Sequence, residues 1–430
     1  MTKVFIAEQE TLLEVQKQVD KLTNNLLPLD KPIYAMVIHE ASDLNPNSRV
    51  EYLGANKNFT PMSMNMSTHA MNYGSWADWS WLKANVPVMC NFDGGIDYYL
   101  NPNDYTKKAD GTDSDVSNVD YAGDAMSVIQ KIYKKEYKVG NDRYVFFCER
   151  KVDEDFKAVG FNVLGKERDY MLIPMFYGSI DANGKMRSIA GQWSCLTASG
   201  NASDNTTGTA IGTAEQYAAI QKASKNGLFF GGALVNTLAD ICVLLSKSTN
   251  SQAAFGYGMC STYVEDKAQH YGTQINTVVG GGQFYGSSDQ KSFNKIFHSC
   301  VMGSYMLWQR DPYMLLKNGR ILVSPDYTYD LTGATYLDTG VDLAANGYYA
   351  TTRVIEDFGS VPTDELVCSS ATGYCDHTWV NATILAVSLR FGGCTHGLAG
   401  GLFARPLNSV AANAWWYYAA SKLLPAPAAA

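Results

Sequence analysis

Cys368, Cys375 and His377 lie close together in the sequence, and Cys394 and His396 follow. Thiolates and imidazoles in such a group could hold zinc. The Cys-x6-Cys-x-His spacing matches no standard finger, so no metal is assigned to the cluster. Cys394 and His396 do not make a thiolate pair either. At i and i+2 on a strand they share a face, with no third group to orient them. The histidines, His39, His69, His270, His298, His377 and His396, are scattered and read as structural or surface residues. Carboxylates are plentiful, as in "KVDEDFK" at 151–157. A glycosidase pair could sit among them, but nothing in the sequence selects one. Asp104, Asp110, Asp113, Asp115 and Asp120 fall in one polar loop without the EF-hand order, and read as solvated. No Gly-x-Ser-x-Gly elbow, Walker loop or His-Glu-x-x-His helix is present. The expectation is a non-enzyme with no catalytic residue, metal or cofactor.

The chain has 430 residues, enough for a large core, with 46% apolar and 18% charged residues. Its 27 tyrosines, 8 tryptophans and 37 glycines suit either binding surfaces or a tightly packed, strand-rich body. A net charge of −8 disfavours a grip on nucleic acid. The one basic knot, Lys131, Lys134, Lys135 and Lys138, is interrupted by Glu136 and reads as a solvated face. The first residues carry Glu8, Glu10 and Glu14 where a signal peptide needs an apolar core. No apolar run is long enough to span a bilayer, so no membrane insertion is expected. Nine widely spread cysteines suggest reduced, buried thiols in a protein made in a cytosol.

Four segments must carry these residues. In residues 1–30, Leu12, Val15, Val19, Leu22 and Leu26 form a coiled-coil seam, opened by a Thr11–Glu14 capping box and closed by Pro28. A helix this short is marginal alone, so it must dock, with oligomerisation or anchoring as its role. Residues 31–192 read as a strand-rich α+β region, with "PIYAMVIHE" and "RYVFFCER" as strands. Residues 193–226 read as a flexible Ser/Thr/Gly loop. Residues 227–430 contain a buried helix with Leu234, Leu238, Ile241 and Leu245 on one face. A second helix is expected over "KSFNKIFHSCVMGSYMLWQRD", with Phe293, Phe297, Val301 and Trp308 together and Asp311-Pro312 at its end. Strands follow in "GRILVSPDYTYDLTG" and over 380–390. Strands flanking two central helices predict an α+β class.

The chain closes on Trp415, Trp416, Tyr417 and Tyr418, set among small residues. On a strand Trp415 and Tyr417 share one face, and Trp416 and Tyr418 the other. As a core element these rings would bury against the two helices, and as an exposed patch they would mark a binding site or subunit contact; opposite faces allow a mixture of the two.

Several strings together resemble a tailed-phage virion fibre and receptor-binding family. They are "VFIAEQETLLEVQKQVDKL", "RVEYLGANKNFTPMSMN", "GKMRSIAGQ", "GGQFYGSSDQKSFNKIFHSCVMGSYMLWQRDPYMLLKNGR" and "LRFGGCTHGLAGGLFARPLNS". The resemblance implies an N-terminal helix leading into a large mixed body with a C-type-lectin-like C-terminal half. It implies a homotrimer that projects from the virion, is made in the host bacterial cytoplasm and binds the host surface without catalysis. Partners would be other virion proteins through the N-terminal helix, and a bacterial surface receptor such as a glycan. The receptor- or partner-binding residues it suggests are Arg405, Asn408, Asn413, Trp415, Trp416, Tyr417 and Tyr418. Ala411, Ala412, Ala414, Ala419 and Ala420 depart from the pattern by diluting that surface. A purely structural collar or head-decoration protein and a virion-associated glycan-degrading enzyme are the alternatives.

Overall fold

A computed structural model describes residues 31–41, 44–192, 211–261, 281–344, 346–414 and 417–427. Among them strands far outweigh helices. The expected α+β class, with a mixed body and a lectin-like C-terminal half, therefore gives way to a β-rich fold. The seam residues Leu12, Val15, Val19, Leu22 and Leu26 lie outside the described residues.

Four larger sheets make up the body. The first is antiparallel, in the order Val50–Gly54, Tyr34–His39, Asp142–Cys148, Tyr133–Val139. Its inner strands are the two apolar runs that the sequence marks, and both are almost wholly buried. The second sheet runs Leu228–Phe229, Lys422–Pro425, Tyr170–Pro174, Gly123–Gln130, Pro87–Asn91, Ile96–Asn101, Asp104–Lys108. The end of the chain is thus paired with both Leu172 and Leu228. The regions before and after residue 200 share one sheet and one core.

The third sheet places Trp308–Lys317 between Arg320–Val323 and Leu385–Arg390, with Tyr418–Ala419 alongside in parallel. The fourth orders Gly359–Cys368, Gly347–Ile355, His377–Val380 and Arg405–Leu407. Much of the expected second helix is absent. Only Cys300–Gly303 is helical there, and Trp308 already belongs to a strand. Phe297 and His298 take φ values of 54° and 60°, which a right-handed helix excludes. Pro312 does not end a helix; it lies inside the register shift of the Trp308–Lys317 strand, where its missing N–H is tolerated.

The buried helix is real and central, spanning Gly232–Ser246. Every residue from Gly232 to Leu245 is buried, the mark of a helix surrounded on all sides. Its first turn is satisfied from outside: Gly232 N donates to Asp311 Oδ1 (2.8 Å) and Leu234 N to the Tyr327 hydroxyl (3.2 Å). A carboxylate at this end also complements the helix dipole. Lys247, at φ 54°, ends it. In the segment expected to be a loop, Thr213–Ala223 is helical, burying Thr213, Gln216, Ala219, Ile220 and Ala223. No helix among the described residues is long and apolar enough to cross a membrane.

Candidate functional site

The Tyr133–Val139 strand alternates two faces. Tyr137 lies outward against Tyr144 and Phe146, ring centroids 5.2 and 5.9 Å away. Lys134, Glu136 and Lys138 turn inward. Lys134 Nζ donates to Asp240 Oδ2 (2.7 Å) and Glu136 Oε1 (2.8 Å). Arg143, on the neighbouring strand, donates to Asp240 Oδ2 (2.6 Å) and Glu136 Oε2 (2.7 Å). The expectation that this basic knot is a solvated face is wrong for Lys134, whose side chain is 0% exposed. A buried charge requires an opposite one with good geometry, and Asp240 supplies it from the central helix. Burial alone would push the Asp240 carboxyl up, but Arg143 and Lys134 outweigh it and hold it below its ordinary range.

Glu40 extends this frame. It accepts from Lys138 Nζ (2.7 Å), the Tyr374 hydroxyl (2.6 Å), and both the N–H and the hydroxyl of Thr352. Lys138 also donates to Thr352 O (2.8 Å). These contacts tie the first sheet to the hairpin Gly347–Cys368. The hairpin tip rests on the same helix: a Cβ on Gly359 (φ 93°) would meet Asn236 Cβ at 3.1 Å and Glu136 Oε1 at 3.4 Å.

Asn236 forms a second node. Its Oδ1 accepts from Arg390 Nη1 (3.1 Å) and Arg405 Nη2 (2.9 Å), and its Nδ2 donates to Phe358 O (2.9 Å). Arg390 also pairs with Asp311 and donates to Gly232 O (3.1 Å). Arg405 is bonded to neutral oxygens, those of Asn236, Leu402 and Ala404. Burial, with Arg390 nearby, pulls its pKa well down. Beside it, burial pushes the Asp376 carboxyl well up, although Phe403 N donates to it at 2.8 Å.

Above this frame lies a cleft of about 780 Å³. The strand side contributes Lys134, Lys135, Glu136 and Lys138; the turn beside it contributes Glu154, Asp155 and Lys157. The hairpin side contributes Thr352, Arg353, Glu356, Asp357 and Glu365. The "KVDEDFK" carboxylates thus face a second acidic pair across the cleft. Each wall also carries an ion pair, Lys135–Asp155 (2.6 Å) and Arg353–Glu365 (3.2 Å). The hydrogen bond from Lys135 lowers the Asp155 pKa, and that from Lys151 lowers Glu154.

The residues singled out near the C-terminus scatter. Arg405 is buried in the frame. Tyr418 is buried, its hydroxyl 2.6 Å from Ser409 Oγ, and Tyr417 packs edge-on against it half-buried. Asn408 is exposed and Asn413 half-buried, its carbonyl accepting from Arg310. Trp415 and Trp416 lie outside the described residues. In the Cys/His cluster, His377 and His396 both pack on Trp379, 4.3 and 5.2 Å between ring centroids. Cys368 and Cys375 stand as free thiols, raised by burial, and Cys394 is buried elsewhere in the core. Among the described residues no three His, Cys, Asp or Glu side chains converge as a metal set.

The sequence reading missed Glu40, Arg143, Asn236, Asp240 and Asp376. One signal was available: "NTLADICVLL" sets Asn236 and Asp240 in an apolar helix, and a buried carboxylate implies a buried cation. A separate polar knot was also missed. The Tyr105 hydroxyl lies 2.8 Å from His298 Nδ1 and accepts from Lys295 Nζ (3.1 Å), all three side chains being buried. Compared with known proteins, the chain matches no family model and no curated protein.

Proposed function

We propose that the chain is a bacteriophage virion protein, a fibre or adhesin that projects from the particle and holds the host cell surface without turning it over. The sequence resemblance to virion fibres supports this reading, including trimerisation and attachment to other virion proteins through residues 1–30. The observation that carries the non-catalytic part is the ion pairing of two cleft carboxylates, Glu154 with Lys151 (2.7 Å) and Asp155 with Lys135 (2.6 Å). A glycosidase needs one carboxyl raised to serve as general acid. Glu154 and Asp155 are instead shifted down by lysine partners. The charges beneath them are consumed in fixing the fold, which leaves a rigid surface suited to adhesion. Many copies on one particle multiply weak contacts into firm attachment.

The facing acidic pairs are what a glycan-degrading enzyme would draw on, so the test must separate the two readings. Purified full-length chain should bind host cells saturably and release no reducing ends from host polysaccharide. Labelled antibody should decorate projections on intact particles. Steady release of sugar, or absence of the chain from particles, would overturn the proposal.

A further inference from the structure

We infer that the cleft between the Tyr133–Val139 strand and the Gly347–Cys368 hairpin is a saccharide site whose ligand is an uncharged, polyhydroxylated chain. The inference rests on the adhesin reading and names the class of receptor it would hold. At about 780 Å³ the cleft falls within the usual span of small-molecule sites, roughly 300–1,000 Å³. Its lining mixes cations with carboxylates, the strand side holding most of the cations and the hairpin side being the more acidic. A polyanion would meet the carboxylates and a polycation the lysines, so either is rejected by like charge. A sugar hydroxyl both donates and accepts. Adjacent hydroxyls therefore match an ammonium beside a carboxylate, and the Lys135–Asp155 and Arg353–Glu365 pairs offer that arrangement on opposite walls.

Three further features suit such a ligand. Lys134 lies under the floor with its side chain 0% exposed and its ammonium committed to Glu136 and Asp240, so the floor there is a fixed, internally neutralised charge pair. Glu356 and Asp357, exposed beside the hairpin turn, form no ion pair with a described residue and remain open as acceptors. The floor is held by the buried frame, so little ordering remains to oppose binding.

The test compares four trisaccharides of similar size: maltotriose and tri-N-acetylchitotriose, which are neutral, the deacetylated glucosamine trimer, which is cationic, and trigalacturonate, which is anionic. Calorimetric titration of the full-length chain should show saturable binding of at least one neutral trimer. Neither charged trimer should bind more tightly. The variant Lys157→Gln/Glu356→Gln/Asp357→Asn, with an unchanged melting temperature, should weaken binding about tenfold or more. No neutral binding at millimolar sugar, a preference for a charged trimer, or equal binding by the variant would overturn the assignment. Cell binding separates this from the wider proposal. If the variant coats host cells as the wild type does, the cleft assignment falls and adhesion stands. If the wild type does not coat them, adhesion itself falls.

Discussion

Asn236 and Asp240 sit one turn apart on the central helix and between them receive four buried cations. Asp240 accepts from Lys134 and Arg143, and Asn236 accepts from Arg390 and Arg405. The i, i+4 spacing puts both acceptors on one helix face. The first sheet closes on that face through Asp240, and the C-terminal strands close on it through Asn236. One helix therefore sets the relation between the cleft's strand side and its hairpin side.

Asp240→Asn should be among the most damaging single changes. It strands Lys134 and Arg143, leaving Glu136 as the one carboxylate bonded to both, with the Tyr374 hydroxyl as a neutral acceptor for Arg143. Breaking a buried charge set in this way costs about 3–5 kcal/mol. Urea unfolding would show it as a lower midpoint with an unchanged slope. Lys134→Met combined with Asp240→Asn should lose less than the sum of the single losses, because the pair is coupled. Strict additivity would contradict the assigned contact.

Arg390 and Arg405 look equivalent in sequence but should respond differently to methionine. Arg390→Met leaves the buried Asp311 carboxylate without its partner and removes a bond to Gly232 O. Arg405→Met removes a cation held only by neutral oxygens, close to another cation. The Arg390 change should cost about 3–5 kcal/mol and the Arg405 change about 1–2. The reverse order in thermal or urea unfolding would refute this account of the node.

How much of this could be read from the chain follows the range of each interaction. The Tyr34–His39 and Asp142–Cys148 strands and the central helix are local patterns, and they were legible. The expected helix around Phe293–Trp308 was a local pattern too, but a buried irregular segment can carry the same apolar spacing. There the left-handed Phe297 and His298 decide the path, and nothing in their residue types announces it. The frame was illegible for another reason. Lys134 and Arg143 meet Asp240 across 106 and 97 residues of chain, and a lysine-rich strand looks solvated until its partner is known.

The Tyr105–Lys295–His298 knot predicts a pH response. Burial, with a smaller contribution from the Lys295 charge, pushes His298 down to about 3. Between that value and the unfolded pKa near 6.5, the unfolded chain binds a proton that the folded chain does not. Stability from this group is complete above pH 6.5 and is lost as pH falls through 3, at about 1.4 kcal/mol per pH unit. Burial likewise pushes Lys295 down to about 7, so stability should climb again from pH 7 towards 10. Melting temperatures across pH 3–10 should rise in both windows. His298→Asn should flatten the acid window and leave the alkaline one; a profile identical to wild type would exclude His298 as its source.

Two glycines with similar backbone angles separate close approach from simple strain. Gly160 has φ 88° and Gly165 has φ 78°. A Cβ on Gly165 meets nothing within 4 Å, whereas on Gly160 it would fall 2.4 Å from Leu234 Cα and 2.5 Å from Leu234 N. Both alanine variants carry the left-handed penalty, about 1–2 kcal/mol. Gly160→Ala must in addition push the central helix away, which adds about 1–3 kcal/mol or more. It would also disturb Gly160 O, which accepts from the Tyr327 hydroxyl that in turn receives the Leu234 N–H. Gly160→Ala should therefore lower the urea midpoint well beyond Gly165→Ala. Because the helix positions Asp240 and Asn236, its displacement should also weaken binding in the cleft, while Gly165→Ala leaves binding intact. Equal losses in the two variants would mean that the helix does not pack on Gly160 as described.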